Sequence, residues 1–178
     1  MTINKDKCIN TLQDEKEENV VNMLMISRLE DLKLATVDLF RSSRRSIQIY
    51  SSSLDKRILS NRDIEQAVIK LLRSNRNAKI QCLIFDEKEL QGHDHRIVNL
   101  AQRFTSFIEI KVIPDEYKGT ISGYYLSDKK EMVYRTNREK FDARIFKLPQ
   151  QEVIDKTKHF DALWQQSRPA SFLRALHI

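Results

Sequence analysis

Apolar and polar positions along this chain alternate between two periods. Leu29, Leu32, Ala35 or Thr36, and Leu39 recur at helical spacing up to about Arg41, and Ser27 with Glu30 has the form of a capping box ahead of them. Ser42 and Ser43 end that segment. Residues 46–51 then predict a buried strand on Ile47, Ile49 and Tyr50 that runs into a serine-rich loop. Asn61 suits the cap of a second helix with Ile64, Ala67, Val68 and Leu71 inward, broken by residues 75–77. Residues 79–85 form the clearest strand, and a short helix follows over 95–104 on Ile97, Val98, Leu100, Ala101 and Phe104. Over 107–113 the pattern alternates, with Ile108, Ile110 and Val112 opposite Glu109 and Lys111.

The second half changes character. Residues 121–126 and 131–135 read as a hairpin around Ser127, Asp128, Lys129 and Lys130, and 144–146 add a short strand. Pro149 opens a last helix carrying Val153, Ile154, Phe160, Leu163 and Trp164. Beyond Pro169, Phe172, Leu173 and Leu176 are expected to pack back. The apolar run over 20–26 suits either an edge strand or the lead-in to the first helix. Strands alternating with helices predict an α/β fold: a mixed, mainly parallel sheet flanked by helices, with right-handed crossovers.

Residues 1–19 lack an apolar period and are expected to form a mobile charged tail, dispensable for folding, ahead of one domain over 20–178. A chain of 178 residues suits one core. Its net charge is +6; the first 19 residues carry three Lys against five acids, so the rest carries +8. That excess favours anionic partners. No apolar run approaches the roughly 20 residues that span a bilayer, and no signal peptide is legible at the start, so a cytoplasmic protein without membrane attachment is expected. Cys8 lies among charges and Cys82 in an apolar run, which predicts two reduced thiols, with Cys82 a small buried hydrophobe. No Cys and His cluster has zinc spacing, so neither metal nor cofactor is expected.

Ligands of an open α/β sheet sit beyond the carboxyl ends of its parallel strands. Those ends carry Ser51, Ser52, Ser53 and Asp55, then Asp86, His93, Asp94, His95 and Arg96, then Asp115 and Glu116. The candidate ligand-binding residues are therefore Ser51, Ser52, Asp86, His93, His95 and Arg96, expected to cluster if the first two strands are neighbours. His93 and His95 hold a metal only if their loop curls both rings inward. An anion at the following helix start, beside Arg96, competes with simple capping by Asp94. A serine hydrolase can be assembled on paper from Ser52, His95 and Asp86, but the serine lacks a Gly-x-Ser-x-Gly elbow. Tyr124, Tyr125 and Tyr134 beside Arg135 and Arg138 suit either strand packing or a nucleic-acid surface.

Residues from about 28 to 166 resemble the phospholipase D-like fold. The resemblance rests on residues 47–52 after an arginine-rich helix end, Ile84-Phe85-Asp86, the helix over 95–103 and Ile108-Glu109-Ile110-Lys111. The hairpin over 124–135 and a last helix ending Phe160-Asp161-Ala162-Leu163-Trp164 complete it. The likeness is to a degenerate, non-catalytic form found as a small bacterial domain, sometimes fused to acetyltransferase-like modules. Active members carry H-x-K-x-x-x-x-D at the hairpin, where the His attacks phosphorus and the Lys binds phosphate oxygens. If Asp128 is the aspartate of that motif, the His position falls on Ile121 and the Lys position on Gly123. The resemblance thus implies a non-catalytic module that binds an anionic ligand, nucleic acid or a partner protein. The alternative is a divergent phosphodiesterase or hydrolase using His93, His95 and Asp86.

Overall fold

The computed structural model describes residues 23–90, 94–119, 121–137 and 139–173. An eight-stranded sheet runs through it in the order β1-β7-β6-β5-β2-β3-β4-β8. The strands are β1 (Met23–Ile26), β2 (Ser46–Ser51), β3 (Lys79–Ile84), β4 (Ile108–Val112), β5 (Gly123–Ser127), β6 (Glu131–Arg135), β7 (Ala143–Phe146) and β8 (Arg168–Pro169). Helices α1 (Leu29–Ser42), the short α2 (Lys56–Leu59), α3 (Arg62–Ser74), α4 (Arg96–Arg103) and α5 (Gln151–Gln166) connect or follow them.

The sheet is mixed, but it is not mainly parallel. Only β2 with β3 and β3 with β4 run parallel; every other pairing is antiparallel. The helical crossovers enforce parallel direction only through β4. After β4 the chain returns to β2 as the β5–β6 hairpin, and β1, just ahead of α1, is an edge strand paired with β7.

Strand alternation divides the core in two. On one face Ile47, Ile49, Cys82, Ile84, Ile110, Tyr125, Val133 and Ile145 meet α1, α3 and α4. On the other, Tyr50, Leu83, Tyr124, Leu126, Met132 and Phe146 pack against Val153, Phe160, Leu163 and Trp164 of α5. Phe172 and Leu173 pack against the first cluster, as expected; Leu176 and residues 1–19 lie outside the described residues. Cys82 is fully buried and its thiol is pushed up to about 12 by burial, the state of an inert core side chain.

Local signals explain the joints. The Asn61 side chain accepts the Ile64 N–H at 2.9 Å and starts α3, as the sequence predicts. The capping box ahead of α1 is not formed: Arg28 is the first flanking residue, without a side-chain cap, and Glu30 pairs with Lys33 at 2.8 Å. In the hairpin, Asp128 and Lys129 both adopt left-handed backbone angles, φ 52° and 60°. In this three-residue loop, left-handed angles at two successive positions turn the chain with the twist of its strands. The Asp128 carboxylate offsets its strain by accepting the amides of Arg44, Arg45 and Ser46 at 2.7–2.8 Å.

Candidate functional site

The carboxyl edge of β2 and β3 brings part of the expected cluster together. The strands are neighbours, with Ser51 opposite Ile84. The Ser52 carbonyl then accepts the amides of Phe85 at 2.9 Å and Asp86 at 3.3 Å, so the two loops leave the sheet joined. Asp86 is exposed, and one of its oxygens accepts the Lys88 amide at 2.8 Å. His93 lies outside the described residues.

His95 reaches this edge, but as a structural group. It is 2% exposed, with Nε2 2.8 Å from the Leu54 carbonyl and Nδ1 accepting the Ile97 amide at 3.2 Å. Accepting at Nδ1 and donating from Nε2 defines a neutral ring with both nitrogens engaged. Burial lowers its pKa, the carbonyl of Leu54 works against that, and the Lys56 charge adds to the lowering. The ring therefore caps α4 in place of Asp94, whose carboxylate instead accepts from Asn99 at 2.7 Å. Leu54, the partner, is buried in a left-handed conformation at φ 57°. No hydrogen bond links the Ser52 hydroxyl to His95 among the described residues, and none of them forms a cluster of three or more potential metal-binding side chains.

Arg96 does not face the serines. Its amide donates to Ser60 Oγ at 3.2 Å and its guanidinium pairs with Glu65 on α3. An anion at the start of α4 would compete with both that carboxylate and the His95 cap.

A second group at the same edge joins two residues that the sequence offered separately, and it buries Arg135 rather than leaving it on a nucleic-acid surface. Arg135 ends β6 in register with Gly123 and is 2% exposed. Its Nη1 lies 3.4 Å from the Asp55 carboxylate, and its Nε and Nη2 donate to the Lys140 carbonyl at 3.2 and 2.7 Å. Asp55 also receives two hydrogen bonds from Arg57, at 3.0 and 2.9 Å, and caps α2. Burial pushes the Asp55 carboxyl up, but the Arg57 hydrogen bond and the charges of Arg57 and Arg135 outweigh it and hold the pKa below the ordinary value. The available signal was alternation: with Val133 pointing into the core, Arg135 shares its face and needs a carboxylate there.

Gly123 and Ile121 complete the edge. A Cβ on Gly123 would stand 3.2 Å from the Tyr50 carbonyl, a tight contact, while Ile121 is 56% exposed. Tyr124 and Tyr125 are packing residues, 1% exposed each, rather than parts of an open surface. The Tyr124 hydroxyl is hydrogen-bonded to His159 Nδ1 at 2.7 Å, and its ring stacks on Tyr50 with centroids 4.9 Å apart. Tyr134 is half-buried beneath Lys156 and Arg144, and Arg138 lies outside the described residues.

A family model described as a domain of unknown function, DUF7931, matches residues 28–176. The chain belongs to the DUF7931 family. No curated protein matches the sequence. Solved structures place the DUF7931 domain among phospholipase D-like folds. It is similar to Nuc of Salmonella typhimurium, a phospholipase D family member, at 13% identity and TM-score 0.58, over 83% of this chain and 96% of that one. NucT from Helicobacter pylori matches at 16% identity and TM-score 0.53, over 83% and 98%. TrmBL2, an archaeal chromatin protein whose structure shows a novel mode of DNA binding, matches at 13% identity and TM-score 0.60. That match covers 92% of the DUF7931 chain and only 65% of TrmBL2. At such identities the likeness is one of fold. Among the described residues no helix is long and apolar enough to cross a membrane.

Proposed function

We propose that this DUF7931 domain is a non-catalytic module that binds an anionic partner, and that the partner is nucleic acid. The observation that carries the reading is the pair Ile121 and Gly123, at the hairpin positions where an active phospholipase D-like protein resembles H-x-K-x-x-x-x-D. An aliphatic side chain cannot attack phosphorus, and glycine cannot clamp its oxygens. Neighbouring groups do not take over either role. Arg135, opposite Gly123, is buried against Asp55 and the Lys140 carbonyl. His95 would have to give up the Leu54 carbonyl and the Ile97 amide before it acted as base or nucleophile, which weighs against a divergent phosphodiesterase using His93, His95 and Asp86. The excess of Lys and Arg, 31 against 25 acids, supports an anionic partner, and the DNA binding described for TrmBL2 supports nucleic acid among such partners.

Two assays on the purified chain test this. Hydrolysis of bis-(p-nitrophenyl) phosphate is expected to stay at the buffer rate, while fluorescence anisotropy with a labelled 30-bp duplex shows saturable, salt-sensitive binding. Hydrolysis that persists through purification and disappears in His95→Ala would overturn the non-catalytic reading. Absence of binding to duplex and single strands, with capture of an acidic partner protein instead, would overturn the nucleic-acid reading.

A further inference from the structure

The carboxyl edge is the wrong place for a polyanion. Asp86, Asp94, Asp115 and Glu116 stand exposed along it, and two of its arginines, Arg96 and Arg135, are committed to Glu65 and Asp55. Positive charge collects at the opposite end of the sheet.

Four connections meet at that opposite end: the loop from α1 into β2, the loop from α3 into β3, the loop from α4 into β4, and the β5–β6 turn. Short bonds hold them together. Asp128 of the turn accepts the amides of Arg44 and Arg45; Asn75 Nδ2 donates to the Arg44 carbonyl at 2.9 Å; the Lys79 amide donates to the Arg45 carbonyl at 3.1 Å. Lys79 Nζ reaches the Ser106 carbonyl at 2.9 Å. The frame is thus fixed, while Arg44, Arg45, Arg76, Lys79, Lys129 and Lys130 remain exposed on it.

Helix dipoles do not explain these six. Arg41, Arg73 and Arg103 lie in the last turns of α1, α3 and α4, where a cation favours the helix end. The six cations stand beyond those turns, in loops and at strand starts. Nor, Lys129 apart, are they neutralised by neighbours. Of the nearby carboxylates, Asp128 is occupied by backbone amides, Glu131 bonds Ser42 Oγ and Asp161 pairs with Lys129. Arg44, Arg45, Arg76 and Lys130 make no ion pair among the described residues.

Building on the nucleic-acid reading above, we infer that this amino-terminal edge of β2, β3 and β4, together with the β5–β6 turn, binds the sugar–phosphate backbone of a nucleic acid. Arginines outweigh what a point charge needs and present planar forks suited to phosphate oxygens. Asn77 and Ser106 add exposed neutral donors of the kind that contact phosphates. From β5 to β4 the edge spans three strand spacings, about 14 Å, or about four base steps of a duplex. None of the four connections carries an exposed large apolar side chain of the kind that inserts into a lipid surface; Leu148, at the same end of the sheet, follows β7 outside them. Contact with backbone alone makes the binding indifferent to base sequence.

The test is anisotropy of the full chain on a 30-bp DNA duplex and on RNA of equal length, from 50 to 200 mM salt. About four phosphate contacts lower the wild-type affinity roughly 100-fold across that range. The variant Arg44→Ala/Arg45→Ala/Arg76→Ala is expected to lose at least about tenfold at 100 mM salt and to show a shallower salt slope. Lys88→Ala, at the carboxyl edge, keeps wild-type affinity. All four positions are exposed, so an unchanged circular-dichroism melt accompanies each variant. Wild-type binding with an unaffected triple variant overturns this surface while leaving the nucleic-acid function standing. Failure of the wild type on both nucleic acids overturns both readings. Binding to vesicles with 30% phosphatidylserine, and to neither nucleic acid, overturns both in favour of a lipid surface.

Discussion

Replacing His95 with alanine removes both hydrogen bonds of a buried ring. The first bond caps α4 through the Ile97 amide, and losing such a cap costs about 1 kcal/mol. The second satisfies the Leu54 carbonyl, and an orphaned buried acceptor costs about 1–3 kcal/mol. Together these come to about 3 kcal/mol, which lowers the melting temperature of a domain this size by about 6–12 °C. A pH dependence accompanies the loss. The folded pKa of His95 is lowered by burial, so below pH about 6.5 the unfolded chain takes up a proton that the folded ring refuses. Wild-type stability is therefore full above the unfolded pKa and falls as pH drops through the folded one. His95→Asn, which keeps a capping oxygen and has no proton to gain, flattens that fall; what remains comes from His159, whose pKa is also lowered by burial. Urea unfolding at pH 7.5 and 5.5, followed by the fluorescence of the single tryptophan, Trp164, reads both effects. A His95→Ala midpoint equal to wild type, or an unchanged pH dependence in His95→Asn, would refute the structural role assigned to the ring.

The other buried groups give further outcomes. Arg135→Met leaves Asp55 with Arg57 alone and is expected to destabilise by about 3 kcal/mol; Asp55→Asn takes the carboxylate charge from the buried guanidinium and costs a similar amount, and the double substitution costs less than the sum, as a urea double-mutant cycle will read. Asp128→Ala releases three backbone amides and loosens the hairpin, costing about 2–4 kcal/mol and raising amide exchange at Arg44, Arg45 and Ser46. Cys82, with its thiol pushed up to about 12, is expected to react with Ellman's reagent only at the rate of unfolding, against immediate reaction in urea.

Local patterns carried much of this fold, and contacts between distant segments carried the rest. The alternation over β4, the strand of β6 and the Asn61 cap were legible because each depends on a few adjacent residues. The order of such elements gave an α/β fold, and the phospholipase D-like architecture came from the resemblance carried by segments such as residues 47–52 and the hairpin over 124–135. The direction of the sheet was not legible, because β5 returning to β2 and β1 closing onto β7 are pairings across long stretches of chain. The short α2 was missed inside a serine-rich loop, where Asp55 supplies a cap that the loop's composition obscured. Ser51, Ser52 and Asp86 stand at one edge because adjacent parallel strands place their following loops side by side. The role of His95 was not visible: a capping ring and a catalytic ring have the same sequence, and only the Leu54 carbonyl and the Ile97 amide distinguish them. The basic edge escaped for a related reason. Arg44, Arg76 and Lys130 are far apart in the chain and become neighbours only when Asp128 and Asn75 bind their loops together.

Binding without cleavage is the centre of the account, and one experiment reads both halves. An end-labelled 30-bp duplex is incubated with the purified chain, and each sample is divided between a native and a denaturing gel. A shifted band on the native gel, over label that stays at full length on the denaturing gel, is the result the account predicts. Shortened strands that persist through further purification would contradict it, as would an unshifted duplex at low salt.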